Sequence, residues 1–516
     1  MGKRAQPRES IIGERALYFW AGCAAISVGV LLHLPMLAMA HEMGNHLSGM
    51  PMDMGMHLGM ALIGVGAPLA CYGALPKKRA PHGDHAGTSF EAPDSTPLNR
   101  WHAATLLVLT LGLIIDVMKP ATLGFVLPGM ATEYGIDRSQ VALLPLVALT
   151  GTTIGSFLWG WLADIYGRRV SILLSTILFV STAICGAMPE FEWNLLMCFL
   201  MGISAGGMLP VIYTLLAEVM PPRHRSWVLV LVGGTGLVGG YLAASGAAYV
   251  LEPIFGWRAL WLQGFPSGLL LLALARFIPE TPRFLAERGR AVELAEMQRK
   301  FGLQPKPRPV QPPTDAPSPA GHRQITVALT ITALSWSFVN FGLLLWLPLD
   351  LQARGYSAEI ASGILAKSSL LAFPTILLAA FFYARHSSKW TLVGTVSLTL
   401  IGMLGALLPV ELLSWEPVLV SVIAILIVGT NGTIAVLLPY TAENYPLGTR
   451  GRATGLVAGS SKFGGVAVQV AALAGFAPTL VGAALALLLP TAASAGMIAW
   501  AGRETQGRSL RELDAE

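Results

Sequence analysis

The sequence predicts an all-α polytopic membrane protein of fourteen spanning helices, and three observations carry that prediction. The 516 residues are 54% hydrophobic and only 12% charged, about half the charge of an ordinary soluble domain. Apolar runs recur from end to end at roughly the 20-residue length a helix needs to cross a bilayer. Lys and Arg crowd every second loop, the pattern of loops that face the cytoplasm in alternation. A β-barrel would show alternating stretches of about ten residues, and none is present in the sequence.

The elements follow in order. Two spans come first, at about 16–40 and 58–75. The first follows Lys3, Arg4, Arg8 and Arg15, exceeds a signal-peptide core and has no clear cleavage site behind it, so it reads as a retained helix. Twelve more fall at about 103–127, 140–162, 170–188, 193–219, 226–250, 258–278, 324–349, 359–384, 390–410, 416–440, 452–476 and 478–501. Basic residues cluster before the first span, in 76–102, at 168–169, at 223–225, in 276–323, at 385–389, at 448–452 and after 502. The loops 41–57, 187–193 and 410–417 hold no Lys or Arg. This alternation puts both termini in the cytoplasm of a multi-pass protein of the plasma membrane, a bacterial inner membrane. The net charge of +5 is then a property of these loops and not a nucleic-acid footprint. All four cysteines (Cys23, Cys71, Cys185, Cys198) fall inside apolar runs, so no disulfide framework is expected.

The chain divides into five parts. Residues 1–100 form a two-helix membrane hairpin and a cytoplasmic linker. Residues 101–280 form a six-helix bundle, 281–323 a cytoplasmic loop, 324–502 a second six-helix bundle and 503–516 a tail. In the loop, Arg283–Gly302 reads as an amphipathic helix and Pro305–Pro319 as a Pro-rich extended linker.

The two bundles repeat. Ala217-Glu218-x-x-Pro221-x-x-x-Arg225 recurs as Ala442-Glu443-x-x-Pro446-x-x-x-Arg450, 225 residues on. The same offset carries Gly239-Gly240 onto Gly464-Gly465 and Gly207 onto Gly432, while Glu280-Thr281 recurs at Glu504-Thr505. Parallel repeats of this kind imply two bundles with a site between them near the bilayer midplane.

Residues 160–169 read Gly-Trp-Leu-Ala-Asp-Ile-Tyr-Gly-Arg-Arg between two spans. This resembles the Gly-x-Leu-Ala-Asp-x-x-Gly-Arg-Arg/Lys loop between the second and third helices of major facilitator superfamily transporters. Pro279-Glu280-Thr281-Pro282-Arg283-Phe284-Leu285 and Glu504-Thr505-Gln506-Gly507-Arg508-Ser509-Leu510 are similar to segments of the sugar-porter and metabolite:proton symporter branches. The resemblance covers about residues 100–516 and implies a major facilitator fold, to which the amino-terminal hairpin is an addition. It also implies a gating role for Asp164, Gly167, Arg168 and Arg169, with Asp164 meeting the start of the eleventh core helix. Glu218 with Arg225, and Glu443 with Arg450, read as matching gate clusters. Two departures bear on function. Cys198 stands where sugar porters place an Arg, which lowers a sugar-symport reading. The Gly-rich run Gly233–Gly240 lacks the Gly-Pro pair of antiporter branches, which favours symport.

Ionisable residues inside a membrane are costly and default to functional candidates. Asp116 lies about thirteen residues into its helix, near the midplane at about 1.5 Å of rise per residue. It is the candidate proton-coupling group. Lys119, Lys367 and Lys462 are the other deep charges, and three lysines against one carboxylate favour an anionic substrate. Trp336, Asn340 and Asn431 are candidate substrate contacts, although interhelical hydrogen bonds account for such residues equally well.

The loop between the first two spans is unusual. It carries His41, Met43, His46, Met50, Met52, Met54, Met56, His57 and Met60. Thioether and imidazole groups select copper, Cu(I) above all, so His41, His46, Met50, Met52, Met54, Met56 and His57 are candidate metal ligands. Flexible apolar packing is the competing account of the methionines.

The sequence therefore reads as a secondary active transporter and not an enzyme. It lacks the GxxxxGK[ST] pattern of a nucleotide motor, and no cofactor site is visible. The expected activity is proton-coupled symport of a small organic anion, a carboxylate metabolite such as an aromatic acid, by a monomer using alternating access. Its partners are that substrate, protons and the lipid bilayer, with no nucleic acid. The alternatives are a sugar or polyol transporter of the same fold, and a copper-handling membrane protein acting through the Met/His loop.

Overall fold

A chain this apolar has to satisfy its backbone within each segment, because hydrocarbon supplies no hydrogen-bond partners. The computed structural model describes residues 15–75, 88–307, 320–445, 447–476 and 479–506. Thirteen helices there are long and apolar enough to cross a membrane. The hairpin is α1 (Ala16–Glu42) and α2 (Met54–Ala74). The amino-terminal bundle is α3 (Arg100–Tyr134), α4 (Arg138–Tyr166), α5 (Arg168–Ala187), α6 (Phe191–Val219), α7 (Pro222–Phe255) and α8 (Ala259–Phe277). Two short helices follow, α9 (Pro282–Glu287) and α10 (Ala291–Phe301). The carboxy-terminal bundle is α11 (Arg323–Ala353), α12 (Ala358–Arg385), α13 (Ser388–Gly405), α14 (Glu416–Glu443), α15 (Arg452–Leu473) and α16 (Leu480–Ala501). The fourteenth expected span, at 390–410, is α13, the shortest of these and rich in Ser and Thr.

Local chemistry moves several boundaries. Asp53 caps α2 by accepting from Met56 N at 2.7 Å, so that helix starts earlier than its hydropathy suggests. Asn99 caps α3 through Trp101 N and His102 N, and Gly135, at φ +61°, ends it. The first helix breaks between Leu31 and Leu34, just before Pro35, and α6 breaks at Gly206–Gly207. Within α11 one π turn spans Asn340–Leu344, where Leu345 N donates to Asn340 O at 3.0 Å.

The packing carries the repeat. Within each bundle the first helix packs on the fifth and the second on the fourth, giving α3·α7 with α4·α6, and α11·α15 with α12·α14. Between bundles α4 meets α15 and α7 meets α12, the exchange that a two-fold relation requires. Small residues permit the closest approach: a Cβ at Gly151 or Gly155 would strike the Phe199 or Ile203 carbonyl of α6, and one at Gly202 or Gly206 would strike α4.

The hairpin belongs to the amino-terminal bundle. Helices α1 and α2 pack on each other and against α5. Strands β1 (Thr88–Glu91) and β2 (Gln304–Pro307) pair antiparallel, Thr88 opposite Pro307, and join the linker to the inter-bundle loop. The remainder of the Pro-rich stretch expected as a linker lies outside the described residues.

Candidate functional site

Two of the deep charges lie within electrostatic reach of each other across the interface between the bundles. Asp116 on α3 is 5% exposed and Lys462 on α15 is half-buried. Each is the charged group that acts on the other, and among the described residues no further charge acts on either. One turn from Lys462, Gly465 leaves room for Phe341 of α11 and Leu149 of α4. Further along α3, the ring of Tyr241 on α7 lies against Phe125 at 5.8 Å, and its buried hydroxyl has no partner among the described residues. The interface thus offers a carboxyl, an ammonium group, aromatic faces and a free hydroxyl.

The π turn supports this site. Widening the helix frees the Phe341 carbonyl, and Gln469 of α15 takes it, its Nε2 donating at 2.9 Å. Gln469 Oε1 accepts from Trp346 Nε1 at 3.2 Å. Ser337 donates to the Ser461 carbonyl beside Lys462. Gln469, Trp346 and Phe341 were not candidates from the sequence; a lone Gln inside an apolar run was the signal available.

The other lysines stand elsewhere. Lys119 is 2% exposed and turns into its own bundle, where Nζ donates to the Phe179 carbonyl at 2.7 Å and Thr182 Oγ1 at 2.6 Å, over the Phe179 ring at 4.4 Å. Lys367 was expected to be deep. Its side chain is 61% exposed and pairs with Glu416 at the start of α14. Side chains on a helix lean toward its N-terminus, and a long lysine stem follows that lean to the surface.

Trp336 lies edge-on to Phe341 at 5.9 Å. It lines a small cavity inside the carboxy-terminal bundle with Thr332, Ser335, Thr399, Thr430 and Thr491. Asn431 is buried in α14 beside Thr430, and Asn340 opens the π turn.

At the end that carries Arg168, the repeated glutamates and threonines have matching roles. Glu280 Oε1 accepts from Arg168 N at 2.8 Å and Oε2 from Arg169 N at 3.3 Å, capping α5. Gly167 has φ +102°, and a Cβ there would strike the Glu280 carboxylate. Glu504 caps the equivalent helix, α13, by accepting from Ser388 N at 2.9 Å. Thr505 donates to Glu443 at 2.6 Å, and Thr281 reaches Glu218. Burial pushes the Glu280 carboxyl up, and the N–H groups of Thr281 and Arg168 offset part of that. For Glu504, burial also pushes up, but bonds from Ser387, Ser388 and the Gln506 N–H outweigh it and hold the carboxyl below its ordinary range.

Asp164 is 75% exposed on its side chain and pairs with Arg168 at 3.2 Å; the side chains at the start of the helix it was expected to meet lie outside the described residues. Arg225 meets Glu91 of the linker at 3.6 Å, with Glu218 acting on it from further off. Glu443 accepts from Tyr383 at 2.8 Å and, across the bundles, from Ser226 at 2.7 Å. The Arg450 side chain lies outside the described residues. At the opposite end, Arg138 of α4 approaches Asp350 of α11 at 3.9 Å and lies over Trp346 at 5.7 Å.

The Met/His loop is a docking segment in this structure. Leu47 N and Ser48 N donate to Glu133 at 2.6 and 3.0 Å. His41 Nδ1 bonds Asn45, His57 Nδ1 bonds the Asp53 carbonyl, and His46 is exposed. Met56 is buried, Met50, Met52 and Met60 pack on the core, and Met54 is 82% exposed. Among the described residues no three His, Cys, Asp or Glu side chains come together as a metal set.

Comparison with known proteins agrees with the architecture. The family model of the Major Facilitator Superfamily matches residues 109–469. The niacin transporter NiaP of Acinetobacter baylyi is 26% identical over 446 residues, which cover 81% of this chain and 98% of that protein. The 4-hydroxybenzoate transporter PcaK of the same organism is 28% identical over 402 residues, 72% of this chain and 84% of that protein. The solved structure of the proton:xylose symporter XylE superposes with a TM-score of 0.63 at 18% identity, over 80% of this chain and 98% of that one.

Proposed function

Because this chain belongs to the Major Facilitator Superfamily, we propose that it is a secondary transporter which carries a small organic anion, an aromatic carboxylate, together with a proton. The observation that carries this reading is that Asp116 of α3 and Lys462 of α15 lie within electrostatic reach of each other across the bundle interface. Lys462 binds the substrate carboxylate. That draws the lysine's charge away from Asp116 and leaves the acid favouring its proton. Substrate and proton are thereby taken up together, which is symport. Phe341, Phe125 and Tyr241 supply flat apolar faces of the kind an aromatic ring needs. The niacin and 4-hydroxybenzoate transporters among the relatives support that substrate class.

In this reading the Arg168 end faces the cytoplasm, as the loop charges imply, and the chain carries no enzymatic activity. Lys119 and Lys367 have their own partners and take no part. The sugar alternative is weaker, because XylE at 18% identity shares the fold alone, whereas the relatives matched by sequence include niacin and 4-hydroxybenzoate transporters. The test is uptake of nicotinate, 4-hydroxybenzoate and xylose into proteoliposomes under an imposed pH gradient. Asp116→Asn is expected to abolish gradient-driven uptake while keeping counterflow exchange, and Lys462→Met to abolish both. Gradient-driven uptake by Asp116→Asn at the native rate, or a preference for xylose, defeats the reading.

A further inference from the structure

We propose that Cys185 and Cys198 form a two-coordinate site for a soft monovalent cation, Cu(I), with Lys119 as its counter-charge. Cys185 sits in the last turns of α5 and Cys198 in α6, and their Sγ atoms are 3.8 Å apart. Both residues are fully buried. With metal–thiolate bonds of about 2.3 Å, an ion held between two sulfurs sets them roughly 4 to 4.6 Å apart. Small rotations about the two Cα–Cβ bonds supply the difference.

The second, independent observation is the lysine. The Lys119 ammonium is buried with only a carbonyl and a hydroxyl as hydrogen-bond partners. Among the described residues no carboxylate acts on it; the acidic groups that do are the Cys185 and Cys198 thiols. A charged Lys119 buried there without an anion is strongly unfavourable, so a negative occupant would stabilise its ammonium form. Binding supplies one. The two thiols release two protons, Cu(I) takes their place, and the bis-thiolate complex carries a charge of −1. With the ammonium the buried group sums to zero. Soft thiolate ligands select Cu(I) over harder ions. The second segment of α1, Leu34–Glu42, packs on the Thr182–Ala187 turns that hold Cys185.

The test is a titration of the reduced full-length protein with Cu(I) under anaerobic conditions, competed by a chromophoric chelator. One Cu(I) per chain is expected, lost in Cys185→Ser and in Cys198→Ser, and held at least tenfold more weakly in Lys119→Met. X-ray absorption on the native protein guards against variants that misfold, and is expected to show two sulfur ligands. Binding that survives the double cysteine variant, native affinity in Lys119→Met, nitrogen or oxygen ligands around the metal, or no bound Cu(I) overturns the proposal. A disulfide between the two cysteines under these reducing conditions overturns it as well.

Discussion

Glu133 is the residue whose loss the structure prices most clearly. Its carboxylate, 3% exposed, faces the Arg258 guanidinium, 2% exposed, at 2.7 Å. Oε1 also accepts from Leu47 N and Ser48 N, and Oε2 from Trp257 Nε1 at 2.9 Å and Arg258 Nε at 3.2 Å. Glu133→Gln keeps the volume. It turns one carboxylate oxygen into an amide donor that faces other donors, and it leaves Arg258 without a counter-charge. Breaking a buried pair from one side costs about 3–5 kcal/mol. At least two further bonds go with it, each worth about 0.6–2 kcal/mol between membrane helices. A loss near 4–6 kcal/mol is expected, because the remaining amide oxygen recovers part of the sum. The hairpin should loosen first, since Leu47 and Ser48 hold its loop. Thermal unfolding followed by tryptophan fluorescence reads the stability, and limited proteolysis within 43–53 reads the loop. Glu133→Gln/Arg258→Met should recover part of the loss by removing the stranded cation. A single variant that unfolds with the native protein, with its loop equally resistant, refutes the reasoning.

Three other outcomes follow from the same structure. Gln469→Leu strands the Phe341 carbonyl and Trp346 Nε1, at about 1–3 kcal/mol each; a fall in both melting temperature and substrate affinity is expected in unfolding and uptake assays. Glu504→Gln tests pH dependence: the native carboxyl lies below its ordinary value of about 4.3, so its stabilisation is complete above that value and disappears as pH falls through the lowered one. Melting curves should therefore separate the variant from the native protein at neutral pH and converge in acid. Asp350→Asn weakens the approach of Arg138 and should raise the labelling of a cysteine introduced at Leu149 by a membrane-impermeant reagent added at the Glu133 end, about two- to fivefold on the scale of an exposed ion pair.

The order of the spans was legible in the sequence; direction around a helix was not. The spans, their order and the two-bundle repeat follow from hydropathy, loop charge and the recurrence of Glu280 at Glu504. Asp116 and Lys462 were found by the cost of burying charge. Lys119 stands three residues from Asp116, a difference of only about 60° around a helix. A core helix has neighbours on every side, and that angle is enough to send one group to α15 and the other to the α5 turns. The π turn had no signature, since its residues are as apolar as the helix around it. Glu133 reads as a polar helix end, and only its contacts with Arg258 and the hairpin loop reveal an anchor. The meaning of the repeated Glu-Thr pair was also out of reach, because capping joins residues 112 positions apart.

The contacts that join the two bundles share one economy, which bears on how they separate. Glu443 gives up Ser226 when the Arg168 end opens, yet Tyr383 and Thr505 of its own bundle still donate to it. Asp350 gives up Arg138 when the other end opens, yet Arg354, just past the end of its own helix, stays bonded at 3.0 Å. Neither opening strands a buried carboxylate, so each avoids the several kcal/mol that an unpaired buried charge costs. The shared bonds named here, Ser226–Glu443 and Arg138–Asp350, are each worth about 0.5–3 kcal/mol, and a ligand shifts the population of two states by its differential affinity for them. The pairs that hold the hairpin and its linker lie within one body. Glu133–Arg258 fastens the hairpin loop, and β1–β2 with Glu91–Arg225 fastens the linker, all to the amino-terminal bundle and its loop. The hairpin is therefore fastened to the amino-terminal bundle at its helices, its loop and its linker.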